Sequence, residues 1–506
     1  MEGPTATYRK ARTKRGEGRF SGDYRVVAAL GTLEGSRRRA VALACRVPPA
    51  AQYLVVHDAL VREVPDPFSV EDFERVSARL AEDATALEVL GNQTYLYSGE
   101  APPLALTEIL ESALRAAEGG REPSSGRAAS VIRVPEAAGS AAEPIARLRP
   151  PEDGQRIPVA LLGAGDYART QVIPALRSNR LAKAVVADRE PQIAAFVAKE
   201  AGFAAATSDA SLALEELSAP GIVIVATAHD SHARLAAAAL ERGHRVFLEK
   251  PTVVTESDVD VLLGALTGGA RGLAVGFNRR FNPLVRRARS LLESRDGPLT
   301  ITCIVREVSL EPSHWYLWPN QGTRVAGNLC HWIDLGVYLM GARALPVSAT
   351  VTPRVGDDRQ ALDEERTFAF TFDDGSVLTI VATARGDDIR GVQEHIEARK
   401  GDLTLRLDDL WRLDVLALGR MRRHRTVWRD KGHARMFRDS IAAFLQGRPG
   451  SYPLRDLVLG AAMQLTATRL VQVDETSAAV GPALHEWLAR LDRAVASEPR
   501  HELALA

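Results

Sequence analysis

From residue 157 onward, short runs of apolar residues alternate with longer segments in which apolar residues recur at a spacing of three and four. Short apolar runs are typical of strands buried on both faces of a parallel sheet, and the longer spacing is typical of amphipathic helices. Such an alternation predicts a doubly wound α/β domain with a parallel sheet. The predicted strands are 158–162, 184–187, 222–226, 246–248 and 273–277, and the predicted helices are 170–180, 191–201, 211–217 and 231–242.

The pattern changes in the second half of the chain, where apolar and polar residues alternate as they do in strands with one buried face. Turn sequences at 373–375 and 400–402 predict hairpins, and helical patterns return at 433–445 and 454–471. A last helix, 480–495, carries an apolar stripe that we expect to dock on the N-terminal unit or on another subunit. The stripe consists of Leu484, Trp487, Leu488 and Leu491. The predicted strands are 299–308, 347–355, 367–372, 377–384, 394–399 and 403–407.

The N-terminal part predicts a separate small unit with three strands, 24–30, 40–46 and 53–56, and a helix at 69–90. Residues 118–155 are rich in Ala, Gly, Ser, Pro and Arg without periodicity, which is the composition of a linker. At 506 residues the chain is too long for one ordinary core. The predicted domains are a small β-rich N-terminal domain (1–116), a linker (117–155), a nucleotide-binding α/β domain (156–280), a second α/β domain (281–475) and an extra C-terminal helix (476–506).

The turn after the strand 158–162 has the spacing of a dinucleotide-binding motif, Gly163-x-Gly165-x-x-Ala168. The first glycine permits a tight turn, the second lets the backbone approach a pyrophosphate, and a small third residue lets helix and strand pack closely. Asp188 follows the next strand, at the separation expected of a carboxylate that binds the adenosine ribose. The segment therefore predicts a Rossmann domain that binds NAD in preference to NADP, because the carboxylate repels a 2′-phosphate.

The composition of the chain excludes several classes of partner. Lys plus Arg and Asp plus Glu both number 64, so no bulk field favours nucleic acid or a membrane surface. The three cysteines, Cys45, Cys303 and Cys330, form no CxxC pair, which argues against a disulfide framework or a cysteine-rich zinc site. No apolar run approaches the ~20 residues of a membrane helix. We therefore expect a cytoplasmic protein with no metal, nucleic acid or membrane partner.

Three segments carry a specific resemblance to a known family: GAGDYA from Gly163, VATAHDSHARLAAAALERGHRVFLEKP from Val225 and VGFNRRFNP from Val275. In this order, and over residues 156–475, they resemble the glucose-fructose oxidoreductase/inositol dehydrogenase (Gfo/Idh/MocA) family. The resemblance implies a second domain whose open, mostly antiparallel sheet carries the substrate on one face and a homo-oligomer interface on the other. It also implies an NAD(P)-dependent oxidoreductase acting on a secondary hydroxyl or ketone of a sugar, nucleotide sugar or cyclitol.

Such a reaction needs a group that takes the hydroxyl proton and a cation that steadies the developing alkoxide. Lys250 follows a predicted strand at the carboxyl end of the sheet, where open α/β sheets bind ligands, and the resemblance implies that it contacts the substrate hydroxyl and the nicotinamide ribose. His331 matches the family's proton acceptor. Asp334 lies one helical turn on, where it is expected to orient the imidazole or a substrate hydroxyl. The alternatives are a solvated lysine, a structural histidine and a carboxylate that stabilises the helix N-terminus.

The segment around His331 departs from the family pattern. Many members carry Asp-x-Gly-x-His, where this chain has Gly327 and Leu329. The nearer match is a subgroup with Gly-Glu-x-Cys-His-aromatic-Ile-Asp, and its glutamate is Asn328 here, whose amide cannot relay a proton. Members of that subgroup carry an alcohol-dehydrogenase-like domain first. Residues 41–72 resemble part of such a domain without its zinc ligands, which predicts a remnant used for packing.

The remaining site residues follow from the motif and the resemblance. Arg279 and Arg280 suit an anionic substrate, or else they pair with internal carboxylates. Arg306, His314 and Tyr316 could also contact an anionic or glycosidic substrate, since aromatic faces suit sugar rings. The predicted cofactor-binding residues are Gly163, Gly165, Asp166, Tyr167, Ala168, Asp188, Arg189, Thr227, His232, Glu249, Lys250 and Pro251. The predicted substrate-binding residues are Arg279, Arg280, Trp315 and Asn328.

Two further functions stay open at this point. The altered segment at 327–329 also fits a non-catalytic dinucleotide-binding protein with a repurposed site. The family includes NAD-dependent glycosidases as well, which oxidise, eliminate and re-reduce while the cofactor stays bound. Binding without turnover would favour the first alternative, and cleavage of aryl glycosides without net NADH formation would favour the second.

Overall fold

The computed structural model describes most of the chain from residue 145 onward with its side chains, and the backbone of five strands before it. The predicted helix 69–90, His314 and Trp315 lie outside the described residues. Described with side chains are residues 145–148, 156–177, 180–267, 272–308, 310, 316, 320–341, 344–353, 365–386, 391–448, 450, 452–481 and 483–493.

The described strands of the N-terminal part are β1 (Val26–Leu33), β2 (Arg39–Cys45), β3 (Tyr53–Val56), β4 (Val61–Glu63) and β5 (Ser130–Arg133). They form one antiparallel sheet in the order β3-β5-β1-β2-β4. The compact unit that contains them comprises Lys14–Glu143 and Leu310–Trp315. This differs from the predicted linker 117–155, because β5 lies inside that range and pairs with β1 and β3. Val131 and Ile132 favour a strand. The segment is so short, and so rich in Ala, Gly and Pro on both sides, that its strand pattern is not recognisable in the sequence.

The second unit comprises Met1–Thr13, Pro144–Ser309 and Tyr316–Ala506. Its first sheet is built from β6 (Ala146–Arg147), β7 (Ile157–Leu162), β8 (Leu181–Ala187), β9 (Ala205–Thr207), β10 (Ile222–Val225), β11 (Arg245–Leu248) and β12 (Leu273–Val275). The strand order is β12-β11-β10-β7-β8-β9-β6, and every pair is parallel except β6 with β9. The central strands β7 and β10 are buried on both faces, as their continuous apolar runs require. The predicted doubly wound fold is confirmed.

Helices cover both faces of this parallel sheet. The glycine turn leads into a π-helical turn, Ala168–Val172, which continues as α1 (Ile173–Ala175). The other helices are α2 (Pro191–Ala201), α3 (Ala210–Glu216), α4 (His232–Glu241) and α5 (Glu256–Thr267). Local sequence places their ends, since a proline begins α2 and Gly202, at φ 81°, ends it in the left-handed conformation.

The second sheet consists of β13 (Thr300–Arg306), β14 (Pro346–Val351), β15 (Arg366–Phe372), β16 (Val377–Thr383), β17 (Gln393–Lys400), β18 (Leu403–Asp408), β19 (Arg412–Ala417), β20 (Arg420–Arg425) and β21 (Ser477–Ala479). Its order is β20-β19-β18-β17-β13-β16-β15-β14-β21. The pair β13–β16 is parallel and the others are antiparallel, as the resemblance implied. Strands β19 and β20 were not predicted. In β20 the arginines break the apolar alternation.

The helices of this half are α6 (Pro283–Glu293), α7 (Cys330–Met340), α8 (His433–Leu445), α9 (Leu454–Val473) and α10 (Leu484–Ala496). Helix α9 packs on α7 and on β14, which covers one face of the nine-stranded sheet. Helix α8 packs instead on the nucleotide-binding domain, where Phe437 stacks on Phe247 with 4.7 Å between the ring centroids. The two α/β domains therefore share one core.

The C-terminal helix α10 packs at a different place from the one predicted. Its apolar stripe is buried, as the sequence predicted, but it packs on α5 and α9 within the same unit. Trp487 is 2% exposed and its indole Nε1 donates a hydrogen bond to Asp260 Oδ1 on α5 at 3.2 Å. The helix thus joins the nucleotide-binding domain to the second domain.

Candidate active site

The glycine turn after β7 has the geometry that a pyrophosphate site requires. Gly163 has φ +89°, and a Cβ there would lie 2.3 Å from the carbonyl oxygen of Ala226, so the position admits only glycine. A Cβ on Gly165 would meet nothing within 4 Å, which leaves the backbone uncovered for a ligand. Ala168 is buried against the strand, as the motif requires of its third small residue. The residues present therefore fit a dinucleotide phosphate.

Asp188 follows β8 and holds the glycine turn. Its Oδ2 accepts a hydrogen bond from the Ala164 N–H at 2.7 Å, and its Oδ1 accepts one from the Glu190 N–H at 3.0 Å. The carboxylate is half-buried and the neighbouring Arg189 is exposed. Asp188 is thereby fixed beside the turn, where a ribose would follow the phosphates.

Asp166 and Tyr167 diverge after the glycine turn. The Asp166 side chain is 65% exposed and forms a surface ion pair with Arg169 at 3.4 Å. Tyr167 turns inward, and its hydroxyl interacts with the buried carboxyl group of Glu249. Burial, followed by the charge of Glu249, raises the pKa of Tyr167 well above its usual value. Of the two, Tyr167 therefore faces the interior of the site.

His232 connects the loops that follow two neighbouring strands, β10 and β11. Its Nδ1 lies 2.7 Å from the carbonyl oxygen of Pro251, and its Nε2 lies 3.1 Å from that of Thr227. Burial lowers the pKa of His232, so the neutral ring donates to one carbonyl at a time. The Thr227 hydroxyl lies 2.6 Å from that of Ser231. His232 therefore positions both loops at the carboxyl edge of the sheet.

Glu249 is a buried residue that precedes Lys250. It is 4% exposed, and its Oε2 would lie 2.4 Å from a Cβ on Gly276, so that glycine makes room for the carboxyl group. Burial raises the pKa of Glu249 to about 7, although Lys250 and Tyr167 act in the opposite direction. The peptide bond between Lys250 and Pro251 is cis.

The Lys250 ammonium group is held by partners from the second domain. Its Nζ donates a hydrogen bond to the carbonyl oxygen of Gly327 at 2.6 Å and lies 3.5 Å from the hydroxyl of Tyr316. Burial alone would lower its pKa, but the interactions with Tyr316, Cys330 and Glu249 outweigh burial and raise it. Lys250 is therefore a cation at neutral pH, and its contacts with Gly327 and Tyr316 exclude a simple solvated lysine.

Tyr316 explains why the segment before His331 contains a glycine. A Cβ on Gly327 would lie 2.5 Å from the Tyr316 ring, whose centroid is 5.5 Å from Lys250 Nζ. The Tyr316 ring thus occupies the space that a side chain at position 327 would need. The sequence named Tyr316 as a substrate contact and missed its contact with Lys250, because 66 residues separate the two.

His331 is the second residue of helix α7, and its imidazole is neutral. Burial, followed by the charges of Arg279 and Lys250, lowers its pKa well below its usual value. Its Nδ1 is buried without a hydrogen-bond partner among the described residues. The ring lies edge-on to Phe277, with 6.0 Å between the centroids. The imidazole therefore keeps its capacity to accept a proton.

Asp334 does not meet the expectation that it orients His331. Its carboxylate accepts hydrogen bonds from Arg280 at 2.5 and 3.1 Å and from the Tyr452 hydroxyl at 2.5 Å. Arg280 in turn binds Asp456 at 2.9 Å. The side chain of Asp334 follows the buried arginine because an unpaired guanidinium at this depth would be far more costly than a neutral imidazole. Asp334 thus belongs to a buried ion cluster.

The predicted substrate-binding arginines make the internal pairs that were kept as the alternative. Arg279 is 4% exposed, binds Glu394 at 2.7 Å and lies over the Trp332 ring at 4.3 Å. Arg306 donates to the carbonyl oxygen of Gly386 at 2.9 Å. Asn328 is half-buried and follows Gly327, whose carbonyl oxygen binds Lys250. Its Nδ2 donates a hydrogen bond to Glu307 Oε2 at 2.9 Å. Glu307 was absent from the predictions, because nothing near it in the sequence marks it.

Two negative findings apply to the described part of the chain. Within it, no group of three or more His, Cys, Asp or Glu side chains could hold a metal ion. The helices described here include none that is both long enough and apolar enough to span a bilayer.

Comparison with known proteins finds a family that resembles the nucleotide-binding domain. Residues 157–277 match the model of the oxidoreductase family with an NAD-binding Rossmann fold, Gfo/Idh/MocA. Over these residues the chain is similar to the Gfo/Idh/MocA oxidoreductases. Inositol 2-dehydrogenase of Rhizobium meliloti is 31% identical over 228 residues, which are 45% of this chain and 65% of that relative. The chain thus covers slightly less than two thirds of that relative's length.

Solved structures of other proteins show the same fold. The oxidoreductase domain protein from Kribbella flavida superposes with a TM-score of 0.55 at 20% identity, covering 65% of this chain and all of that one. Levoglucosan dehydrogenase in complex with NADH and levoglucosan gives a TM-score of 0.54 at 20% identity, with 64% of this chain covered and all of that one. At this identity the likeness shows the fold alone.

Proposed function

We propose that this protein transfers hydride between NAD and a secondary hydroxyl or ketone of a sugar, nucleotide sugar or cyclitol. The observation that carries the proposal is the contact between Lys250, at the carboxyl edge of the parallel sheet, and the turn that leads into His331. Lys250 stays an ammonium ion, while His331 stays a neutral imidazole within reach of its charge. Relatives named as dehydrogenases of inositol and levoglucosan support this substrate class.

Four parts of the chain would hold the dinucleotide. Gly163 and Gly165 would face the pyrophosphate, Asp188 the adenosine ribose, and Thr227 and Lys250 the nicotinamide ribose. NAD rather than NADP follows from the carboxylate of Asp188, although the exposed Arg189 lies beside it. The bound cofactor supplies the hydride acceptor for alcohol oxidation.

The side chains would divide the proton chemistry between them. His331 would take the proton of the substrate hydroxyl, since its imidazole is neutral at physiological pH. Lys250 would steady the negative charge on the substrate oxygen, because its ammonium group is already fixed by Gly327. Burial of both groups strengthens their electrostatic effect on a developing charge.

The open sheet suggests a homo-oligomer. Ile304 on β13 is 48% exposed and Val347 on β14 is 50% exposed, which leaves apolar side chains uncovered on the second domain. Covering them with the sheet of a second copy would remove that surface from water. Sedimentation velocity at several concentrations tests this, and a monomer at every concentration would refute it.

A titration of NADH fluorescence followed by a substrate screen tests the proposed reaction. We expect tight NADH binding and NADH formation with at least one member of a panel of sugars, nucleotide sugars and cyclitols that includes inositols and levoglucosan. Binding without turnover on the whole panel would favour the non-catalytic alternative. Cleavage of aryl glycosides without net NADH formation would favour the glycosidase alternative.

A further inference from the structure

Glu307 is a buried carboxylate that no step of the proposed reaction uses. It lies directly after β13, is 1% exposed, and its backbone N–H donates to the carbonyl oxygen of Thr383 at 2.7 Å. The sheet therefore fixes its backbone. Burial raises its pKa, against the opposing charges of Arg324, Arg279 and Lys431.

One oxygen of this carboxylate connects both ends of a single turn. Glu307 Oε2 accepts a hydrogen bond from Asn328 Nδ2 at 2.9 Å and lies 3.4 Å from Arg324 Nη2. Arg324 precedes the π-helical turn Val325–Leu329, and Asn328 lies within that turn. Glu307 thus holds the turn from the sheet side, over 21 and 17 residues of sequence.

The same turn carries the partner of Lys250. The carbonyl oxygen of Gly327, at the centre of the turn, accepts the 2.6 Å hydrogen bond from Lys250 Nζ. The turn then runs directly into Cys330 and His331. A shift of the turn would therefore move the ammonium group and the imidazole together.

The other oxygen, Oε1, is buried without a hydrogen-bond partner among the described residues. A buried ion pair as a whole contributes little net stability, since replacing both partners by apolar groups is often neutral or stabilising. A requirement of the fold alone does not account for a charge at this position. The need to hold the turn that contacts Lys250 does account for a carboxylate here.

We propose that Glu307 is a positioning residue for the proposed oxidoreductase reaction, acting through Asn328 and the turn Val325–Leu329 on Lys250 and His331. From the position directly after β13, it places a carboxylate next to Asn328. The proposal rests on the proposed function for its effect on turnover. Its effect on Lys250 does not depend on a substrate.

An isosteric exchange tests the proposal. Glu307→Gln removes the charge, Asn328→Asp adds one, and the double variant exchanges carboxylate and amide within the same contact while conserving volume. We expect kcat/KM to fall by about tenfold or more in each single variant, because small displacements of catalytic groups have large effects, and to recover in the double variant. The NADH affinity of each variant should stay within about twofold of that of the parent protein, because the proposed effect is on turnover and not on cofactor binding.

A second readout is independent of the reaction. Amine labelling of Lys250, followed by mass spectrometry between pH 7 and 10, reports how firmly its ammonium group is held. Lys250 should label faster in Glu307→Gln than in the parent protein and return to the parent rate in the exchanged double variant. Glu397→Gln, on the same sheet, is the matched control and should change nothing.

The outcomes separate the two proposals. A parent protein without turnover on any substrate, but with faster Lys250 labelling in Glu307→Gln, would overturn the proposed reaction and retain Glu307 as the residue that positions Lys250. Unchanged labelling together with unchanged kcat/KM in Glu307→Gln would overturn the role of Glu307. A fall in thermal stability with unchanged labelling would reduce Glu307 to a structural residue.

Discussion

At the scale of single residues, neighbouring groups shift the pKa values of Lys250 and His331 in opposite directions. Burial disfavours the charged form of both. Lys250 is compensated by the Gly327 carbonyl and by Tyr316, so its pKa rises, whereas His331 faces the cations Arg279 and Lys250 and its pKa falls. Different surroundings thus favour an ammonium ion at Lys250 and a neutral imidazole at His331, as the proposed reaction requires.

Replacing Lys250 by methionine should remove the cation and retain the volume. We expect kcat/KM to fall by a factor on the order of 10²–10³, as when one preorganised donor is lost, while NADH binding is retained. Steady-state kinetics with NADH titration checks this. Lys199→Met, an exposed lysine on α2, is the control. A loss below about fivefold would exclude Lys250 as the electrophilic group.

The pH dependence of alcohol oxidation should reflect His331. The neutral imidazole is the active form and its pKa lies well below 6.5, so kcat/KM should rise with pH below 6.5 and be level above it. Between the folded and unfolded pKa values the unfolded chain binds more protons. The contribution of His331 to stability is therefore complete above about pH 6.5 and is lost as the pH falls through the folded value.

His331→Asn should abolish this limb and leave NADH affinity nearly intact. The exposed His395, paired with Asp408 at 2.7 Å on the second sheet, offers the control variant His395→Asn. Full pH profiles of the three proteins decide the matter. A limb centred above pH 7 in the parent protein would contradict the neutral, buried histidine.

Replacing Asp188 by serine should move cofactor preference toward NADP. The change removes a carboxylate that would repel a 2′-phosphate, and we expect the ratio of NADPH to NADH affinity to rise by about tenfold, or about 1.4 kcal/mol. Asp188→Asn keeps an acceptor for the Ala164 N–H and separates charge from loop geometry. Fluorescence titrations with both cofactors measure the shift. Tighter binding of NADPH than of NADH by the parent protein would contradict the assignment.

At the scale of elements, the strand–turn–helix unit β7–α1 separates two uses of glycine. Gly163 is required by the fold, since its φ of +89° and the nearby Ala226 carbonyl exclude a side chain. Gly165 is surrounded by open space on the side where a Cβ would point. One glycine is therefore required by the backbone conformation, and the other leaves open space where we propose that the phosphates bind.

Gly165→Val should consequently fold normally and lose the cofactor. We expect an unchanged unfolding midpoint and an NADH affinity reduced by about a hundredfold, or about 2.7 kcal/mol, because the side chain fills the phosphate position. Gly163→Val should instead destabilise the domain by about 1–3 kcal/mol or more through backbone strain. Circular dichroism melts and NADH titrations distinguish the two. Normal NADH binding by Gly165→Val would place the phosphates elsewhere.

At the scale of the whole molecule, buried ion pairs join the nucleotide-binding domain to the second domain. Arg279 and Arg280 follow β12 and bind Glu394 on β17, Asp334 on α7 and Asp456 on α9. Arg280 also lies over the Tyr452 ring at 4.2 Å. These arginines hold the two domains in register around Lys250 and His331.

Helix α10 makes a second connection between the domains, and Trp487 anchors it. Trp487→Ala should lower the free energy of unfolding by about 3–5 kcal/mol, because it leaves a cavity between α5, α9 and α10. Trp428, which is 59% exposed, provides the control, and Trp428→Ala should change stability by less than about 0.5 kcal/mol. Denaturant unfolding measures both. Equal effects of the two substitutions would show that α10 contributes nothing to this unit.

The sequence by itself determined the order of the elements and the position of the site. Apolar periodicity is local information, so helix 433–445 and strand 53–56 were predicted with the ends that the structure has. The glycine turn predicts the phosphate site, and the segments around Lys250 and His331 predict these two residues as the catalytic pair. Each depends on residues within a few positions along the chain.

The tertiary structure decided which partners those residues have. Lys250 meets Gly327 across 77 residues, and Arg280 meets Asp456 across 176. Asp334 was assigned to His331 by helical spacing, but a buried guanidinium attracts its carboxylate more strongly than a neutral ring does. The strand β5 in the predicted linker, the docking of α10 and the carboxylate of Glu307 likewise depend on contacts between distant segments, for which the sequence carries no periodic signal.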